Sequence, residues 1–349
     1  MKHLQRGKTP AHLDMANRLN SNADMSLRGT DIAPEPTTKI HKKDRPSLLS
    51  HVKYEHLIAG IFGGVASTVL LHPLDLIKVR LAVTDGRTTT TPQYHSLWNA
   101  ATTIFRQDGV RGLYRGVTPN MVGAGSSWGL YFLFYNATKT WVQGGNTKRA
   151  LSPETHMLAA TQAGILTLAV TNPIWVVKTR LCLQYSELDP SKIPEGKRYS
   201  GMTDALFKIY THEGVRGLYR GFLPGIVGTS HGALQFMAYE EMKNRYNQYK
   251  GFPIDTKLTT VDYLSFAALS KLFAAATTYP YQVVRSRLQN QHRTYSGSWD
   301  CIKQTWTHEG ARGFYKGLSA NLWRVTPATM ITFVVYENVS YFLLSNRRQ

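Results

Sequence analysis

Apolar residues in this 349-residue chain gather in six long stretches, near 54–82, 117–139, 153–184, 222–243, 259–289 and 317–342. Polar, basic connections separate them. Each stretch holds about 20 residues or more, enough helix to cross a hydrocarbon core of roughly 30 Å. The connection from Ser96 to Arg106 keeps a helical period but is short and polar, which suits a helix lying on a membrane surface. The expected fold is an all-α membrane protein with six transmembrane helices, and an even number of crossings places both termini on one side.

Self-similarity sharpens this picture. The strings P-L-D-L-I-K-V-R, P-I-W-V-V-K-T-R and P-Y-Q-V-V-R-S-R begin at Pro73, Pro173 and Pro280, 100 and 107 residues apart. D-G-V-R-G-L-Y-R-G from Asp108, E-G-V-R-G-L-Y-R-G from Glu213 and E-G-A-R-G-F-Y-K-G from Glu309 follow in the same order. Y-N-A-T-K at Tyr135, Y-E-E-M-K at Tyr239 and Y-E-N-V-S at Tyr336 close the units. Three tandem, pseudo-threefold repeats follow, over 51–145, 146–250 and 251–349, after a polar extension, 1–50, expected to be disordered. That extension is too rich in acids for a transit peptide. Proline inside a membrane helix kinks it, so the three first helices are expected to converge at one end. G-x-x-x-G pairs at Gly60/Gly64, Gly125/Gly129, Gly221/Gly225 and Gly228/Gly232 would let helices approach closely in lipid.

Composition then narrows the function. A net charge of +19 demands an anionic partner. The basic residues recur at fixed places around long helices, which favours anionic lipid or an anionic substrate over nucleic acid. Mean hydropathy is only −0.27, because the polar extension and basic connections dilute the apolar stretches. Cys182 and Cys301 lie far apart without ligand spacing, so neither a disulfide framework nor zinc is expected. No H-E-x-x-H, P-loop or G-x-S-x-G motif points to an enzyme, and no cofactor is expected.

With its three proline motifs and their D/E-G partner strings, the chain resembles the mitochondrial carrier family over about residues 54–342. The resemblance implies short matrix-side surface helices, residence in the mitochondrial inner membrane with both termini toward the intermembrane space, and alternating access between two gates. The wording N-P-I-W-V-V-K-T-R, S-H-G-A-L-Q-F-M-A-Y-E and T-Y-P-Y-Q-V-V-R is similar to members that carry folate or FAD. Other nucleotide-type anions such as NAD or a pyrimidine nucleotide, and a non-transporting scaffold, stay open. The family's matrix gate would pair Asp75 with Lys178, Trp175 with Arg285 and Gln282 with Lys78. Its cytoplasmic gate would pair Asn136 with Lys243, Glu240 with Ser340 and Glu337 with Lys139. Each gate then holds one ionic pair, so the two should be similarly weak. Lys78, Lys178 and Arg285 face one acid, leaving a surplus of +2 that should concentrate anions.

Mismatch between repeats marks substrate contacts, since a threefold scaffold must break its symmetry to hold an asymmetric ligand. Alignment of the second helices from Asn136, Glu240 and Glu337 places Gly123, Val227 and Arg324 at one level, where the family holds its substrate, with Gly228 beside it. Arg324 could grip carboxylate or phosphate in bidentate fashion. Trp128 could stack on a planar ring, or anchor at the interface. His231 and Gln235, four apart, could bond ring heteroatoms or pack between helices. Lys271 stands where the other repeats have Gly64 and Gly164, and could reach a second anionic group or snorkel. Anionic lipid such as cardiolipin is expected at the helix N-termini after the D/E-G strings. One pathway per chain makes a monomer sufficient.

Overall fold

The computed structural model describes residues 54–86, 91–143, 151–185, 198–251, 253, 258–293 and 295–346. The extension 1–50, expected to be disordered, lies outside these residues. Eleven helices and no strands occur among them: α1 (Tyr54–Val83), α2 (Leu97–Leu113), α3 (Val117–Val142), α4 (Pro153–Cys182), α5 (Met202–Leu218), α6 (Phe222–Gly228), α7 (Ser230–Lys250), α8 (Thr260–Thr277), α9 (Tyr279–Gln289), α10 (Ser298–Gly313) and α11 (Leu318–Asn346). By length and composition, 62–83 in α1 and 154–182 in α4 are apolar enough to cross a membrane.

The helices close into a ring through contacts between repeats. Helix α3 lies against α4, α7 against α8, and α11 returns to α1. At one end α1, α4 and α9, the segments that carry the proline motifs, touch one another. That end forms a floor.

Pro73 and Pro173 sit inside continuous helices. The stretch 259–289, expected as one helix, is instead divided: α8 ends at Thr277, Thr278 takes φ −90° and ψ 0°, and Pro280 falls in the first turn of α9. Proline has no N–H to continue the ladder, and its ring crowds the preceding turn. Thr278 satisfies the interruption, its hydroxyl donating to Ala274 O at 2.7 Å. The stretch 222–243 is likewise divided, into α6 and α7 at Thr229, whose dihedrals stay helical.

Each surface helix packs on the end of its repeat's first helix. Ala100 and Ile104, Ala205 and Ile209, and Cys301 and Thr305 are the buried equivalents on α2, α5 and α10. Each helix turns sharply at Gly109, Gly214 or Gly310, with φ of 64°, 65° and 61° and ψ of −161°, −165° and −156°. Only glycine enters that region without strain, so the D/E-G pair is a backbone requirement.

The acid before each of these glycines turns inward to the last arginine of the proline motif. Arg180, fully buried, meets Glu213 with bonds of 2.5 and 2.7 Å, and Arg220 joins at 3.3 Å. Arg287 meets Glu309 in the same bidentate way, with Lys316 at 2.6 Å. In the first repeat the shorter Asp108 stands 3.9 Å from Arg80 and 3.6 Å from Arg115. Arg80 turns instead to Cys182 O and the Tyr94 hydroxyl, at 3.0 and 3.1 Å, over the Tyr185 ring. The residue before each proline adds another repeated tie: His72 to Arg115 O at 2.9 Å, Asn172 to Leu218 O at 2.9 Å, Tyr279 to Lys316 O at 3.0 Å.

The expected G-x-x-x-G contacts are partly displaced. β-Carbons at Gly64, Gly125, Gly129 and Gly232 would meet open space, whereas one at Gly63 would lie 2.8 Å from Thr332 O. Gly221, Gly225 and Gly228 do face close neighbours, on α4 and α9. The pairing residue of α1 lies one position away from the motif's, a 100° rotation on the helix.

Candidate functional site

Above the floor lies a cavity of about 360 Å³, within the range that holds organic ligands. Five cations line it, Lys78, Lys178, Lys271, Arg285 and Arg324, against one carboxylate, Asp75. The imbalance exceeds the +2 expected from the gate motif, because Lys271 and Arg324 join from α8 and α11.

Asp75 organises the floor. Its Oδ2 accepts from Lys178 Nζ at 2.5 Å, and its Oδ1 lies 3.7 Å from Arg324 Nε. Lys78 donates to Gln282 at 2.7 Å and to Asn321 at 2.9 Å. The third expected contact, Trp175 with Arg285, is not the one formed. Arg285 donates to Asn172 Oδ1 at 3.3 Å, while Lys178 Nζ lies 6.0 Å from the Trp175 ring centre. Trp175 has no acceptor for a guanidinium, whereas the amide of Asn172 does. The Nε atoms of Arg285 and Arg324 are buried without a hydrogen-bond partner. Five cations against one carboxylate in a confined cavity favour an incoming anion.

Higher up, Lys271 donates to Thr329 Oγ1 at 2.8 Å, and His231 shares a 2.9 Å bond with Thr278 at the α8–α9 break. Both line the cavity. Trp128 does not; it is 64% exposed and stacks on Phe132, with Tyr131 edge-on. It stands five residues past Gly123, a rotation of about 140° on the helix, while Gly123 faces Trp175 on α4. Gln235 lines a separate crevice with Gly232, Tyr239, Ala267 and Ser270. Val227 points away, 58% exposed, and Gly228 abuts Tyr281. Tyr281, which the alignment of second helices could not reveal because it lies on a first helix, lines the cavity.

At the other end, Lys243 lies 3.7 Å from Glu240 of its own helix, not against Asn136. Three residues on one helix are near neighbours whatever the bundle does. Lys139 lies in the last turn of α3; the side chains of Glu337 and Ser340 lie outside the described residues.

Three segments, 51–146, 149–250 and 256–347, match the sequence profile described as "Mitochondrial carrier protein". The chain belongs to the mitochondrial carrier family. Among carriers it is 42% identical to Folate transporter 1, chloroplastic, of Arabidopsis thaliana over 297 residues, covering 82% of this chain and 94% of that protein. It is 39% identical to Nicotinamide adenine dinucleotide transporter 1, chloroplastic, also of Arabidopsis thaliana, covering 82% and 91%. It is 31% identical to the Mitochondrial FAD carrier protein of Saccharomyces cerevisiae, covering 83% and 97%. In this carrier the acid–arginine ties recur in every repeat, while the cavity joins three cations that also recur, Lys78, Lys178 and Arg285, to residues that differ between repeats, among them Asp75, Trp175, Gln282, Lys271 and Arg324.

Proposed function

We propose that this carrier moves a large aromatic organic anion, folate or FAD, across the mitochondrial inner membrane by alternating access. The observation that carries the reading is the cavity with five cations and one carboxylate. A small monocarboxylate would leave most of that charge uncompensated, while phosphates or paired carboxylates on one molecule would neutralise it. Arg324, Arg285, Lys78, Lys271 and His231 are the proposed substrate contacts, and Asp75, Lys178 and Gln282 the proposed inner gate. Six crossings, with both termini toward the intermembrane space, complete the proposed topology. Anionic lipid is proposed at the turns before α3, α6 and α11, and a single chain suffices as the transport unit.

NAD is a second reading, favoured by relatives whose names specify nicotinamide adenine dinucleotide, at 39%, 35% and 34% identity. The test is uptake into liposomes reconstituted with purified protein, comparing labelled folate, FAD and NAD. Saturable uptake of folate or FAD supports the first reading. Uptake of NAD alone moves the assignment to the second, and uptake of none by folded protein overturns both.

A further inference from the structure

Counted forward from the repeated glycines that open the second helices, Gly116, Gly221 and Gly317, rather than back from Asn136, Glu240 and Glu337, the equivalent residues are Gly123, Gly228 and Arg324, and they show how the repeats diverge. Each residue there touches the start of a neighbouring proline motif. Arg324 reaches Asp75. A β-carbon at Gly123 would lie 3.4 Å from the Trp175 ring, an ordinary contact. One at Gly228 would stand 2.6 Å from two ring carbons of Tyr281 and 2.8 Å from its hydroxyl oxygen. Real side chains do not approach so closely, so Tyr281 holds its present place only because position 228 has no side chain.

Tyr281 is half-buried and stands between Gly228 and the cavity, one helical turn before Arg285. Its Cε2–Cζ edge and hydroxyl lie against Gly228 of α6, and the residue also lines the cavity, as Arg285 does. An aromatic ring next to a guanidinium fits a planar heterocycle that carries an anionic group nearby. Folate, NAD and FAD share that chemistry; a non-aromatic polyanion does not use the ring.

We infer that Tyr281, kept back by Gly228, is the residue by which this carrier selects anions bearing a planar ring over anions of equal charge without one. The inference rests on the proposed transport of an aromatic anion and adds the residue that discriminates. Any side chain at 228 drives the tyrosine across the cavity, so Gly228 sets the width available to the ring.

The experiment measures binding to the purified full-length protein by ligand-induced thermal shift, with FAD, folate and NAD as aromatic anions and pyrophosphate as the plain one. Tyr281→Leu weakens the aromatic ligand that binds the natural chain by roughly tenfold, the scale of one lost ring stack, and leaves pyrophosphate within about twofold. Tyr281→Phe keeps the ring and the preference. Gly228→Ala also weakens the aromatic ligand, and adding Ala at 228 to Tyr281→Leu costs nothing more, because no ring remains to be displaced. That non-additivity separates a width device from general loss of folding. Equal weakening of aromatic ligand and pyrophosphate in Tyr281→Leu overturns the inference, as does no weakening of either. Pyrophosphate binding to the natural chain without preference for any aromatic anion overturns it while sparing an anion-binding cavity. No anion binding at all overturns the proposed function and this inference with it.

Discussion

Two sets of equivalent positions in the proline motifs sit within a few turns of each other and differ in one respect. In the ties between proline motif and surface helix, Arg80, Arg180 and Arg287 each face an acid at the equivalent place. In the cavity above them, Asp75, Trp175 and Gln282 occupy equivalent places and share no chemistry. The repeated acid–arginine pairs anchor a surface helix on the end of a first helix in each repeat. On the proposed function, the positions that differ between repeats are those that fit the cavity to one asymmetric ligand.

Breaking a repeated tie should give the largest loss of stability. Glu213→Gln leaves the buried Arg180 guanidinium without its counter-charge, and loss of one partner of a buried pair costs about 3–5 kcal/mol. The melting temperature of the purified protein should fall by several degrees. An unchanged melting temperature would reduce the tie to a local contact.

Making the floor more symmetric should move the gate instead. Trp175→Asp puts a carboxylate among Lys178 and Arg285, and one further ion pair of about 1 kcal/mol favours the closed floor roughly fivefold. Slower uptake and lower accessibility of floor positions to thiol reagents should follow; unchanged kinetics would count against the floor as a gate.

The first repeat offers a gain. Asp108 falls short of Arg80 by its missing methylene, leaving Arg80 Nη2 and Asp108 Oδ1 buried without hydrogen bonds. Asp108→Glu should close the tie and stabilise by about 0.5–1.5 kcal/mol. A lower melting temperature would mean that the Tyr94 and Cys182 contacts have fixed Arg80 beyond adjustment.

The smallest effect is in pH. Burial alone would raise the Glu309 carboxyl, but hydrogen bonds from Arg287 and Lys316 outweigh it and hold the group below the usual carboxylate range. Its contribution is therefore full above about pH 4.5, and is lost as pH falls through the lower folded value. Glu309→Gln should flatten the acid limb of the stability profile, and an unaltered limb would place the acid sensitivity elsewhere.

The fold was legible because the repeats state it three times, and because proline, glycine and acid each impose a local geometry. The acid–arginine ties were not read from the strings, although both partners recur together in every repeat; their separation in sequence hid the contact. In the cavity, Lys78 and Arg285 could be found as the repeated cations of the proline motif, and Lys271, His231 and Arg324 as charged or polar departures on membrane helices. Trp128 and Gln235 could not be excluded by counting residues, because spacing along a helix does not fix which neighbour it packs against. The close approach of Tyr281 to Gly228 was invisible for a simpler reason: a position that leaves room has no side chain to read.

The separation of fold from site is tested most directly by measuring melting temperature and liposome uptake together for Arg324→Ala and Glu213→Gln. Arg324→Ala should lower uptake of the carried anion about thirtyfold or more while the protein melts within about 2 °C of the natural chain. Glu213→Gln should lose melting temperature first, and the fraction that stays folded should still bind the anion. If Arg324→Ala melts several degrees lower and transports normally per folded molecule, the asymmetric residues belong to the scaffold and the account is wrong.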